Sequence, residues 1–261
     1  MPLYHYTDLT AVVSILDNSS IRLTDINYLN DSSELHDGLN AIRTAIDWLE
    51  NSNQIKDDAY LSSSLDQIKA SFVVGETSFA EAVQLFTCSF SSTDDQLSQW
   101  RGYGPYCLEF DEEILSEHAD LHKCTYNNRE KKTLAQNIIS AETHNISIAL
   151  QDKERGFLGD ATVNALAALL TKAATFKEEG FAEECETRWI SWGGKPSTQY
   201  RVRGHQLIPF VTMTIPIECI RSIILGPMRD QALAERAMVS YIQDRGFNID
   251  IRVSKIPFRT H

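Results

Sequence analysis

The residues in this 261-residue chain best suited to chemistry lie in one stretch, Glu183-Glu184-Cys185-Glu186-Thr187-Arg188-Trp189-Ile190-Ser191-Trp192. Its composition predicts a β-strand, in which alternate side chains share a face. Glu184, Glu186 and Arg188 would then project together, opposite Cys185, Thr187 and Trp189. Two acids beside a guanidinium admit two readings. One is a solvated edge strand carrying an ion-pair ladder. The other is a paired-carboxylate site, where one group stabilises a developing cation and the other takes a proton.

Other candidates are single residues. His5 stands in an apolar N-terminal strand, where a histidine is either a satisfied core residue or a site residue. Tyr103, between Gly102 and Gly104, is either a stacking ring or a corner, and Trp100 reads most simply as core. His118 and His122 share helical spacing with Cys124 beyond, but a zinc site needs a fuller ligand set, so no metal is expected. Dinucleotide, Walker and nucleophile-elbow fingerprints are absent from the sequence. Gly193-Gly194-Lys195-Pro196 reads as a turn.

A formal net charge of -12 argues against a protein whose main task is gripping a phosphate backbone. The charge is uneven, however. From Thr187 to Ile217 there is no Asp or Glu, while Arg188, Lys195, Arg201, Arg203 and His205 alternate with Trp189, Trp192, Tyr200 and Phe210. Such a mixture either holds phosphates and stacks bases, or is a run of buried strands with snorkelling ends. Five widely spaced cysteines without a Cys-x-x-Cys pair point to reduced thiols in the cytoplasm. The N-terminus does not read as a signal peptide, and no apolar run is long enough to span a bilayer.

The elements that must position these residues follow from periodicity. Strands are expected at Leu3–Thr7, Ile21–Asp25, Leu85–Ser91, Tyr106–Phe110 and Leu121–Tyr126, then at Tyr200–Val202, Leu207–Ile215, Cys219–Leu225 and Ile249–Val253. Helices are expected after a cap at Thr7 or Asp8, and from Ser32 or Ser33 to about Leu49 with Leu35, Leu39, Ile42 and Ile46 inward. Further helices fall over 128–152, 160–175 and about Asp230–Asp244, while residues 51–84 are helix-like with weak periodicity. Hairpin-like strands with segregated helices predict an α+β fold. A single domain spanning 1–261 is expected, with a helical insertion at about 128–180.

Together these pieces resemble a bacterial family known as a domain of unknown function. The residues that carry the resemblance are Tyr4-His5-Tyr6-Thr7, Leu29-Asn30-Asp31 with Glu34, Cys88-Ser89-Phe90-Ser91, Trp100-Arg101-Gly102-Tyr103, Glu184-Cys185-Glu186-Thr187-Arg188 and Leu225-Gly226-Pro227. That family in turn resembles a remote branch of the ADP-ribosyltransferase fold, which implies a split β-sheet core with flanking helices. The resemblance implies NAD as substrate, with His5 on a ribose hydroxyl, Tyr103 stacking nicotinamide, and Ser89 and Ser91 at the middle-strand position. Tyr6, Thr7, Asn30, Trp100 and Arg188 complete the implied NAD-binding set. Glu186 would be the catalytic acid and Glu184 the earlier acid of the Glu-x-Glu pair. Phe90 stands where the pattern carries a Tyr.

The implied function is an NAD-dependent ADP-ribosyltransferase modifying nucleic acid, RNA in preference. It is similar to mRNA-modifying toxins of anti-phage toxin–antitoxin systems, so an antitoxin protein is an implied partner. Protein ADP-ribosylation and NAD hydrolysis remain alternatives within the same chemistry, as does a carboxylate-pair glycosidase or nuclease acting without NAD. A non-catalytic binding or assembly module is the alternative of another class. Glu186→Gln is expected to abolish transfer with the fold intact, because the amide is isosteric.

Overall fold

The N-terminal aromatic run forms the strand expected of it. β1 (Pro2–Thr7) leads into α1 (Leu9–Asn18), whose N-cap is Asp8: its carboxylate accepts from the Ala11 N–H at 2.8 Å. The computed structural model describes residues 1–29, 34–73, 84–152, 158–192 and 198–257. Its internal contacts divide the chain into two compact units. One comprises Met1–Thr24, Thr87–Lys123 and Glu183–His261; the other comprises Asp25–Phe86 and Cys124–Ala182.

The remaining strands are β2 (Ser20–Asp25), β3 (Leu85–Ser91), β4 (Tyr106–Asp111), β5 (Leu121–Lys123), β6 (Glu186–Trp192), β7 (Gln199–Arg203), β8 (Gln206–Thr214), β9 (Ile220–Leu225) and β10 (Asp250–Val253). The helices after α1 are α2 (Glu34–Glu50), α3 (Asn53–Lys56), α4 (Ala59–Val73), α5 (Leu97–Tyr103), α6 (Glu112–Ser116), α7 (Asn128–Gln151), α8 (Leu158–Ala173) and α9 (Gln231–Arg245). This is an α+β protein. Its ten strands among the described residues join in one mixed sheet of order β10-β9-β4-β1-β3-β2-β8-β7, with β6 paired to β3 and β5 paired to β6. β9 and β10 run parallel, while β1–β4, β4–β9, β2–β8, β7–β8 and β5–β6 are antiparallel.

The helical unit is broader than an insertion over 128–180. α7 packs against α2, α4 and α8, so half of that unit comes from chain preceding β3. Leu35, Leu39, Ile42 and Ile46 of α2 are all buried, as their spacing predicts. Two helices, α3 and α4, occupy part of the weakly periodic stretch, and α5 carries Trp100 and Tyr103, for which no helix is expected from the sequence. Among the described residues, no helix is long and apolar enough to cross a membrane.

Candidate functional site

β6 begins at Glu186, two residues later than Glu184, where the expected row of charges starts. Glu179–Glu184 is a 3-10 segment, and Cys185 adopts a left-handed conformation with φ 45°. Such a backbone at a residue bearing a Cβ costs on the order of 1–2 kcal/mol. Glu184 therefore leaves the strand register, and the expected row of Glu184, Glu186 and Arg188 on one face is corrected to Glu186 and Arg188.

Three successive carbonyls before the strand are pinned. Gln96 Nε2 donates to Glu183 O at 2.9 Å, Ser91 Oγ to Glu184 O at 2.7 Å, and the Ser92 N–H to Cys185 O at 3.0 Å. The Ser91 hydroxyl also accepts from the Thr93 N–H at 3.0 Å. Ser91 is thus a residue that positions the acidic segment. Its hydroxyl is engaged with the backbone on both sides.

Glu186 and Arg188 form a buried ion pair, not a solvated ladder. Arg188 Nε lies 2.7 Å from Glu186 Oε1 and Nη2 lies 3.4 Å from Oε2, with 6% and 1% of the two residues exposed. Side chains two apart on a strand share a face, so the sequence dictates that they meet. Burying both charges is costly, and a fitted apolar pair is often as stable. Glu186→Gln would take from the buried Arg188 guanidinium the carboxylate it meets at 2.7 Å, so the variant probes stability as well as transfer. β5 continues this face, since His122 lies directly opposite Arg188 and its Nε2 stands 2.9 Å from Asp120 Oδ1.

His5 reaches the same region from β1. That strand runs beside β4 over six residue pairs, but its register with β3 consists of Tyr4 opposite Ser91. Beyond that point the His5 imidazole takes over, with Nδ1 donating to the Ser89 carbonyl at 2.9 Å. This bond places the proton on Nδ1 and leaves Nε2 as the acceptor nitrogen. Cys88 Sγ lies 3.6 Å from the same Nδ1.

Burial lowers the His5 pKa, with the Ser89 carbonyl pulling the other way. Burial also pushes the Cys88 thiol well up, and the nearby Glu186 carboxylate pushes it further. Both groups are held neutral, so Cys88 and His5 do not form a thiolate–imidazolium nucleophile. β6, which begins at Glu186, pairs with β3, the strand that carries Cys88 and the Ser89 carbonyl bound by His5. Cys88 was visible in the sequence only as part of the Cys-x-Ser strand.

The aromatic candidates divide. Tyr6 OH donates to Thr93 O at 2.9 Å and accepts from the Gln96 N–H at 3.2 Å; its ring meets Trp100 edge-on at 4.6 Å. Trp100 is buried, and its indole N–H donates to Asp95 Oδ1 at 3.0 Å. Asp95 also accepts from Ser254 Oγ and, at 2.9 Å, from the Lys255 N–H. Burial acts to raise the Asp95 pKa, but these hydrogen bonds prevail and lower it.

Gly226 completes this cluster, because a Cβ there would sit 2.6 Å from Trp100 Cε3. Tyr6, Trp100 and the Leu225-Gly226-Pro227 motif are therefore packing partners of one another. Tyr103 differs: it ends α5 with 41% of its surface exposed. The following Gly104, at φ 130°, presses on the Thr7 carbonyl, where a Cβ would lie 2.5 Å away. This brings Tyr103 to the end of β1 that carries His5 and Thr7. Asn30 and Gly193–Pro196 lie outside the described residues.

A second feature follows from register. Arg22 opposes Thr212, Gln199 opposes Phe210, Arg201 opposes Ile208 and Arg203 opposes Gln206, so Arg22, Arg201 and Arg203 occupy one sheet face. Burial lowers the Arg201 pKa first, and the charges of Arg203 and Arg22 lower it further, with Asp8 opposing. Arg201 Nε is buried without a hydrogen-bond partner, while Nη2 donates to Thr24 Oγ1 at 3.2 Å. Arg22 stacks over Phe210 at 5.0 Å. The acid-free segment thus supplies two of three cations; Arg22, from β2, was not legible as their neighbour.

No curated protein matches the chain, and no solved structure does. Residues 99–189, which run from within α5 into β6 and include Trp100, Tyr103, Glu184, Glu186 and Arg188, match the model of a family described as a protein of unknown function (DUF2971).

Proposed function

We propose that the chain is an NAD-dependent ADP-ribosyltransferase, built on an ADP-ribosyltransferase-like split sheet, that modifies nucleic acid, with RNA as the favoured acceptor. The observation that carries this reading is that β3 joins the strands of both residues: His5 reaches Cys88 and the Ser89 carbonyl from β1, which bridges β3 at one position, and β6, which begins at Glu186, pairs with β3. In this reading the split between β1 and β3 is where NAD lies. His5 Nε2 accepts from a ribose hydroxyl, and Tyr103 offers its exposed ring to nicotinamide.

Cleavage of the nicotinamide–ribose bond leaves positive charge on the sugar, with the bonding pair departing on nicotinamide. The Glu186 carboxylate holds a ribose hydroxyl and opposes that charge. Arg188 keeps the carboxylate ionised and oriented. The acceptor oxygen or nitrogen then bonds to the anomeric carbon and gives up its proton, for which Glu184, two residues earlier, is the nearby base. The Arg22–Arg201–Arg203 face supports an anionic acceptor within an acidic chain. Restraint by an antitoxin protein and a role in antiviral defence belong to the same proposal.

One observation favours a second reading. The near-complete burial of the Glu186–Arg188 pair suits a structural ion pair in a non-catalytic module. The test is nicotinamide release from NAD with and without RNA, following labelled ADP-ribose. Release that depends on His5 and Glu186, with label entering RNA, supports the transferase. Release without a labelled acceptor indicates hydrolysis, and neither release nor NAD binding returns the chain to the module.

A further inference from the structure

The helical unit contains a cavity that plays no part in the proposed transfer chemistry. Its volume is about 380 Å³, within the size range of small-molecule pockets. Asp37, Ala41, Thr44 and Trp48 recur at helical spacing along one side of α2, and the first turns of α7 contribute to the lining together with Phe176 and Glu178.

Lys131 of α7 is the group that needs explaining. Only 8% of it is exposed, yet it lines the cavity with a single hydrogen bond, from Nζ to the Lys177 carbonyl at 3.0 Å. An ammonium carries three donors, so two remain. Among the described residues, no carboxylate stands within ion-pair distance of it. A buried charge without a counter-charge is costly, and a cavity beside it is where an anion can enter.

The rest of the lining limits what that anion can be. Trp48 lines the cavity with 46% of its surface exposed, offering a flat apolar wall. Asp37 and Glu178 also line the cavity, Glu178 exposed and Asp37 half-buried, with the exposed Lys132 beside them. Two carboxylates beside two ammonium groups leave the lining without net positive charge, which disfavours a second anionic group on the ligand. The ligand therefore carries its negative charge at one end.

We infer that this cavity binds a small organic anion, a carboxylate or a phosphate monoester, held at its charged end by Lys131 and along its planar body by Trp48. The inference does not rest on the transferase reading.

The probes are phenyl phosphate, benzoate and neutral benzyl alcohol, titrated into the full chain while the tryptophan indole N–H signals are followed by NMR. Trp48→Phe identifies the Trp48 signal. That signal is expected to shift saturably with phenyl phosphate or benzoate, with benzyl alcohol at least about tenfold weaker. Lys131→Met, which keeps the aliphatic stem, should weaken the anions about tenfold or more. Trp48→Ala provides a second variant should Lys131→Met fail to fold; it should weaken both aromatic anions, while inorganic phosphate still competes for the site in the wild-type chain. Whichever of the two anions binds more tightly identifies the charged group preferred. A Trp48 signal unmoved at millimolar probe, equal binding of benzyl alcohol, or unchanged anion binding in the variant that folds would overturn the inference.

Discussion

Replacing Glu186 by Gln removes one charge and barely changes shape, so its effect on stability tests the buried pair directly. The guanidinium it leaves behind is 1% exposed and loses a partner at 2.7 Å. Breaking a buried pair from one side costs about 3–5 kcal/mol, far above the ~0–1 kcal/mol of a solvated ladder. Arg188→Met alone should cost a similar amount, because it leaves the carboxylate buried. The double variant Glu186→Gln/Arg188→Met removes both charges and should recover most of the loss, to within about 1–2 kcal/mol of wild type. Urea unfolding of the four proteins gives these differences from the shift in midpoint at constant slope. Nicotinamide release from the double variant then separates chemistry from folding: a wild-type-like fold without release assigns the carboxylate to the reaction. A cost below about 1 kcal/mol for Glu186→Gln refutes the burial argument, and full release by the double variant refutes the catalytic assignment.

Other consequences are as definite. Gly226→Ala drives a methyl into the Trp100 ring and should cost about 1–3 kcal/mol, measurable by urea unfolding. Burial holds the His5 pKa below its ordinary value, so the unfolded chain binds the extra proton first as pH falls. The His5 contribution is complete above about pH 6.5 and is lost as pH drops toward the depressed folded value; His5→Gln should remove that part of the pH dependence of stability, compared with wild type from pH 5 to 8. Ser91→Ala frees the Glu184 carbonyl from its 2.7 Å bond and should lower the rate of nicotinamide release more than it weakens NAD binding, read as kcat against KM. Converting Arg22, Arg201 and Arg203 to Gln should reduce the slope of log K against log salt for single-stranded RNA by about 2, at about 0.7 per phosphate contact; an unchanged slope removes this face from RNA binding.

The strands carrying the candidate residues could be read from the sequence because their aromatic and β-branched runs are bounded by turn residues. Leu85–Ser91 was placed to the residue, and Tyr106–Phe110 and Ile21–Asp25 within one residue. The break at Cys185 could not be read. Nothing in Glu-Cys-Glu announces a left-handed residue, and the bonds that hold it come from Gln96, Ser91 and Ser92, far away in the chain. Burial of Glu186 and Arg188 was equally hidden, since charge alternation on a strand looks the same whether the face meets solvent or protein. The long α7 was plain from its periodicity, but its packing against α2 and α4 depends on tertiary contacts that local patterns do not encode.

The division of the chain into interleaved segments also sets an order for its assembly during synthesis. The helical unit is complete once Ala182 has left the ribosome, whereas the sheet unit still awaits everything from Glu183 onward. β1 and β4 are both made before the helical unit is complete and can pair, but Glu186 arrives only with β6. Vectorial synthesis therefore lets the helices settle while the candidate site is still divided between the tethered chain and peptide not yet made. Any activity that needs both His5 and Glu186 is silent in the nascent protein until β6 has been made and has joined the sheet.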